Sequence, residues 1–158
     1  MHYEESVVFS VVLPAGNSTA PMILSMREAL TEKNRRDTER ACQALLDELC
    51  VRLRVPLLKV KVYTRRPQVS GGELHGLYEP SNDETACKIS VWMRTSQRKQ
   101  VVAFKTFLRT LIHELCHHLD YELYRFPETF HTEGFYKRES YLVQKLLAEE
   151  GSEQGRLL

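Results

Sequence analysis

The chain has no apolar run near the ~20 residues needed to cross a bilayer, which excludes a transmembrane helix. It has almost no net charge: +1 at pH 7 over 158 residues, with 27% charged and 42% hydrophobic residues. That balance excludes a disordered polyelectrolyte and suits a folded core. Cysteine is scarce, and Cys42, Cys50, Cys87 and Cys116 form no CxxC pair and no small-scaffold spacing. Neither a disulfide framework nor a cysteine-ligated zinc finger is expected. At this length one domain buries enough surface to need no such staple. Basic residues are missing before the apolar stretch Ser6–Ala15, where Glu4 and Glu5 stand instead. A secretory leader is therefore not expected, and four reduced thiols fit a cytoplasmic setting. Internal repeats are absent too.

What is present reads as a single α+β domain over residues 1–158, with a strand and lead-in helix in 1–33 and a catalytic core in 34–151. A Val-rich strand is expected at Ser6–Leu13. Helix should fill most of Met22–Val55, broken near Asn34 and restarted under an Asp37 cap. Ala41, Leu45, Leu49 and Leu53 then make one stripe, which Pro56 ends. Leu57–Arg66 alternates like a half-buried strand, and Glu73–Glu79 with Ala86–Arg94 reads as a hairpin. Two helices close the chain, Phe104–Tyr124 before Phe126-Pro127, and Glu133–Glu150 between a Thr132 cap and Gly151.

Within the first of these lies His113-Glu114-Leu115-Cys116-His117, an HExxH motif. Helical wheel placement puts Phe104, Phe107, Leu108, Leu111, Leu115 and Leu119 on one side and His113, His117 and Asp120 on the other. Residues i and i+4 sit one turn apart, which lets two imidazoles converge on one zinc ion at about 2.0–2.1 Å. Glu114 lies about 100° round the helix, placed to reach a water on the ion and take its proton. A catalytic zinc commonly takes a third protein ligand. Asp120, His131, Glu133 and Glu139 are the candidates, and His131 follows the proline break at which the chain can double back. His118, Cys116 and His75 read first as structural residues, as do Tyr136 and Tyr141, for which an oxyanion role is the alternative. Arg138 is expected to pair with nearby carboxylates.

HExxH followed by His131-Thr132-Glu133-Gly134-Phe135, an HxxxF, resembles the SprT-like and WLM-type zincin metallopeptidases. The segments Gly76-Leu77-Tyr78 and Lys88-Ile89-Ser90-Val91 are similar to the sheet those families place before the active-site helix. The resemblance implies a small zincin-like domain, a mixed sheet with an active-site helix and a C-terminal helix. It also implies zinc on His113, His117 and His131, with Glu114 as general base. Of the two strongest third ligands, His131 is preferred to Glu139, and Asp120 is expected to orient a histidine. The function expected is a zinc-dependent peptidase acting on extended or unfolded chains, without a membrane. Residues 51–109 carry 12 basic and 4 acidic side chains, including Arg65-Arg66 and Arg98-Lys99, so a nucleic-acid-associated protease or binding module is the alternative.

Overall fold

A computed structural model of the chain describes residues 9–69, 72–95 and 100–157. The long proline-free stretch folds as two helices, α1 (Ala20–Thr31) and α2 (Arg35–Leu53). The turn between them places Lys33 in left-handed backbone, φ 59°. Asn34 is the cap of α2, its side chain accepting from the Asp37 amide at 3.0 Å. Asp37 therefore sits in the first turn, not at the cap, where its charge still favours the helix N-terminus. The stripe of Ala41, Leu45, Leu49 and Leu53 is buried.

After Pro56 come β1 (Lys59–Arg65), a small ribbon of β2 (Gln68–Val69) and β3 (Gly72–Glu73), then β4 (Gly76–Glu79) and β5 (Lys88–Arg94). The expected hairpin forms, although Glu73 belongs to the separate ribbon and β4 is correspondingly short. The main sheet has the order β1-β5-β4, with β5 parallel to β1 and antiparallel to β4. Register places Val60 beside Ile89 and Val62 beside Val91, and these four bury the inner face. Helices α3 (Phe104–Glu122) and α4 (Glu133–Leu157) complete the chain. The result is α+β with four helices and a three-stranded mixed sheet among the described residues.

Helix α3 contacts β4 and β5 as well as α4 and α1, so it is buried on more than the one side expected. Ile112, Cys116 and His118 are as inaccessible as Leu108, Leu111 and Leu115. Along the middle of the helix solvent reaches a strip of Lys105, Thr106, Arg109, Thr110, His113 and His117. Thr132 caps α4 as expected, accepting from the Phe135 amide at 3.0 Å. Gly151 does not end that helix, which continues to Leu157, and a Cβ at Gly151 would stand in open space.

Phe9–Leu13, the described part of the strand expected at 6–13, pairs with no sheet; residues 6–8 lie outside the described residues. Side chains satisfy its backbone instead: Arg138 donates to the Phe9 carbonyl, Tyr124 to the Ser10 carbonyl, and the Leu13 amide to the Tyr141 hydroxyl. Val11 and Leu13 meanwhile join the one hydrophobic core that runs through both ends of the chain. All four cysteines are buried and outside any disulfide. No described helix is long and apolar enough to cross a membrane.

Candidate metal centre

His113 and His117 project from consecutive turns of α3, their ring centroids 5.1 Å apart. The chain leaves α3, turns at Arg125 in left-handed backbone (φ 61°), and buries Phe126. That reversal brings the ring of His131 to 4.8 Å from His113 and 4.9 Å from His117. One nitrogen from each histidine lies within 4.8 Å of the others, and Nε2 of His117 is 3.0 Å from Nε2 of His131. Nitrogens held tetrahedrally about 2.0–2.1 Å from an ion stand roughly 3.3 Å from one another. The three histidines can therefore hold a metal ion with small adjustments. Phe135, fully buried, lies 5.0, 4.8 and 5.1 Å from the three rings and forms an apolar floor beneath them.

The remote ring nitrogens are tied down. Nδ1 of His113 is 2.6 Å from Glu139 Oε1, whose other oxygen accepts from Arg109 at 3.0 Å. Nδ1 of His117 meets Thr129 Oγ1 at 2.8 Å, and that hydroxyl donates to Asp120 Oδ2 at 2.6 Å. Since Thr129 spends its proton on Asp120, its oxygen accepts from His117. Both imidazoles thus hold a proton on Nδ1, which turns the Nε2 of each toward the cluster. Burial lowers the pKa of His117 to about 4, and the neighbouring imidazoles act in the same direction. Burial and the same repulsion also lower His131. Both rings therefore stay free of a competing proton at neutral pH.

Glu114 points to the other flank of α3, beneath strand β4. It is 7% exposed, and burial raises its pKa to about 7 against the opposing pull of His113 and the Tyr78 amide. The strand can approach because residue 76 is glycine: a Cβ there would lie 3.0 Å from Glu114 Oε2 and 2.9 Å from Thr110 Cγ2. His113, Glu114, His117 and His131 all line one cleft of about 650 Å³, with His75, Arg109 and Tyr136 at its rim.

Of the four residues weighed as third ligand, only His131 joins His113 and His117 in a cluster able to hold a metal. Glu139 stands behind His113 as its hydrogen-bond partner. Glu133 is exposed and pairs with Lys137 at 3.1 Å. Asp120 orients His117 through Thr129 and pairs with buried Arg138 at 3.2 Å. His118 is structural, linking the Tyr78 hydroxyl to the Pro56 carbonyl. Tyr141 is partly buried against the core. Tyr136 corrects the core reading: it is 48% exposed at the cleft, because α4 turns its first-turn outer face toward the metal cluster. Thr129 escapes sequence reasoning altogether, since nothing in its spacing marks it. Arg109 was legible in principle, four residues before His113 on the same helix line. Gly76 carried the ordinary signal of a glycine inside a strand pattern. Comparison with protein-family models, with curated proteins and with solved structures found no match.

Proposed function

We propose that the chain is a zinc metallopeptidase of the zincin type, similar to the SprT-like and WLM-type families. The observation that carries this reading is the convergence of His113, His117 and His131 beside a buried carboxylate, Glu114, in one open cleft. Three imidazole nitrogens suit zinc better than calcium or magnesium, which prefer oxygen. A zinc ion held there supplies Lewis acidity and brings the pKa of water toward about 7.

The chain's own residues supply the rest. Glu114 accepts a proton from the attacking water and passes it to the leaving amine, a role suited to a carboxyl group whose pKa burial has raised toward neutrality. Glu139 and Thr129 hold the two helix histidines in one tautomer. Strand β4 is the edge of the sheet on the cleft side, and an extended peptide laid along it would pass Glu114. The opposite edge is already occupied. On β1 the Val60 and Val62 amides are satisfied by Gln43 and Glu39, and the Val62 carbonyl by Arg35. Substrates of stretched or unfolded conformation fit this edge.

Metal analysis of the purified protein beside cleavage of an unfolded protein such as casein tests the proposal. One zinc per chain is expected, with cleavage lost to a chelator. Glu114→Gln should retain the metal and lose hydrolysis by at least about 10²-fold, in the range of general acid–base catalysis. Full activity in that variant, or a protein that takes up no zinc, would sink the reading.

A further inference from the structure

Strand β4 follows helix α3 in the same direction. A Cβ on Gly76 would fall beside Thr110 and Glu114, and two residues on the Tyr78 ring lies 6.2 Å from Tyr121, its hydroxyl bonded to His118. An extended peptide laid along β4 therefore also runs along α3, past the histidine cluster. The two ends of this track differ in charge. Lys105, Arg109 and His113 recur at four-residue intervals on α3, one line with about 6 Å between steps. All three line the metal cleft, and Lys105 and Arg109 are exposed there. The carboxylates lining the same cleft are already engaged: Glu114 is buried beneath β4, and Glu139 is held between Arg109 and His113. Lys105 pairs with no carboxylate among the described residues. The first turn of α3 has no acidic residue and its start no side-chain cap, so the helix dipole adds to the positive field. At the far end β4 finishes in Glu79 and α3 in Glu122, the latter 3.7 Å from Arg125. Of the basic stretch in residues 51–109, then, Lys105 and Arg109 belong to the cleft. Arg66 is buried, and Arg98-Lys99 lies outside the described residues.

We infer that Lys105 and Arg109 select a substrate with an acidic side chain two to four residues from the bond that is cut, on one side of that bond. The inference rests on the peptidase reading and names its substrate class: flexible chains that carry Asp or Glu at that distance. Spacing fixes the position. An extended chain advances about 3.3 Å per residue, so two peptide residues match one helix step of about 6 Å. Arg109 stands one step from His113 and Lys105 two. Arg109 already donates to Glu139 at 3.0 Å and steadies His113 through it, although its side chain remains 47% exposed. Lys105 has no such second duty. Its charge can therefore be changed without disturbing the histidine cluster, which makes it the residue to test. A carboxylate beside it replaces water as its partner, whereas a neutral side chain gains nothing there and a basic one is repelled.

Sequencing the products of dephosphorylated casein cut by the zinc-loaded wild type should show Asp and Glu enriched two to four residues from the bond, on one side only. Binding is read separately, by calorimetry, in the zinc-loaded Glu114→Gln protein. The probes are peptides of about ten residues, capped at both ends and uncharged but for one Asp, Asn or Lys. The Asp peptide should bind roughly three- to fivefold more tightly than the Asn peptide at low salt, the upper range for an exposed ion pair. That margin should shrink at about 1 M salt, where the Debye length falls to about 3 Å. Adding Lys105→Glu should reverse the order, so that the Lys peptide binds better than the Asp peptide. An equal loss for all three peptides would make Lys105 merely structural and overturn the inference. So would an Asp-to-Asn ratio near one in Glu114→Gln, an Asp peptide that does not bind, or a gain found only when the anion is a free C-terminal carboxylate on an uncapped peptide. The two readings fail separately. Casein cut without acidic bias overturns the preference alone, whereas charge-dependent peptide binding with no cleavage by the wild type sinks the peptidase reading alone.

Discussion

Glu139 shows how one side chain's position decides its chemistry. Eight residues past His131 along α4, it reaches His113 Nδ1 from behind, at 2.6 Å, while also holding Arg109. Burial alone would raise its pKa, but these two partners hold the carboxylate below the ordinary value. It is thus an anion that fixes a histidine of the candidate cluster. His131→Ala should strip zinc from the purified protein, because two imidazoles on one helix leave an incomplete set. Glu139→Ala and Thr129→Val should each weaken zinc about 10–100-fold by releasing the ring they orient. Competition with a metal indicator gives the ranking, and loss of metal in Glu139→Ala with retention in His131→Ala would reverse the assignment. Gly76 acts through sterics. In Gly76→Ala the new methyl group meets Glu114 Oε2 at 3.0 Å and Thr110 at 2.9 Å, so the carboxylate has to shift. Peptide cleavage should fall with zinc content unchanged, by less than the about 10²-fold that a 1 Å misplacement of a reacting group costs. Unaltered turnover would remove Glu114 from the chemistry as drawn.

At the scale of elements, α2 protects the sheet as well as packing on it. Arg35, Glu39 and Gln43 recur at four-residue intervals along the helix and bond the outer backbone of β1. An edge strand that would otherwise recruit another chain is thereby closed. Burial is the largest single influence on Glu39 and raises its pKa, but the Val62 amide, Lys61 and Arg35 together outweigh it, so the pKa is lowered. Glu149, at the seam of α4 with α2, is lowered likewise by Arg52 and Thr19 despite burial. A carboxylate with a depressed folded pKa stabilises the protein above its unfolded value and loses that contribution as pH falls through the folded one. Stability from both groups should therefore be complete at neutral pH and decline below the ordinary glutamate value of 4.5. Glu39→Gln keeps an acceptor oxygen and removes the charge. Its melting temperature should lie below wild type at pH 7 and approach it as pH falls below 4.5; a constant gap would show that the charge is irrelevant. Arg138 ties elements together differently, linking the Phe9 carbonyl to Asp120 and, through Thr129, to His117.

Over the whole molecule, the metal cluster depends on a turn of chain between two helices, so the unfolded chain offers no equivalent site. A ligand that binds only the native state stabilises it by about 2.7 kcal/mol when present at 100 times its Kd. Zinc should accordingly raise the melting temperature by about 5–10 °C for a domain of this size. Chelation should return the melt to the apo value, and His131→Ala should show no zinc-dependent rise. An unchanged melt in the wild type on adding zinc would show that the three histidines bind no ion.

The sequence determined what depends on local repetition and spacing: the helices, the α3 pair His113 and His117 one turn apart, the Thr132 cap, and the α+β class. It misplaced what tertiary contacts settle. Phe9–Leu13 has strand-like residues but packs without a sheet partner, because side chains from α4 and the end of α3 satisfy its backbone. Gly151 lies within a helix that runs on to Leu157. The choice among His131, Glu139, Asp120 and Glu133 was also beyond spacing, since each lies within reach along the chain. Only the reversal at Arg125–Phe126 and the burial of Phe135 under the imidazoles brought His131 into the cluster and left Glu139 behind His113. Local periodicity is written into consecutive residues, whereas a metal site is completed by groups that meet only after the chain has turned back on itself.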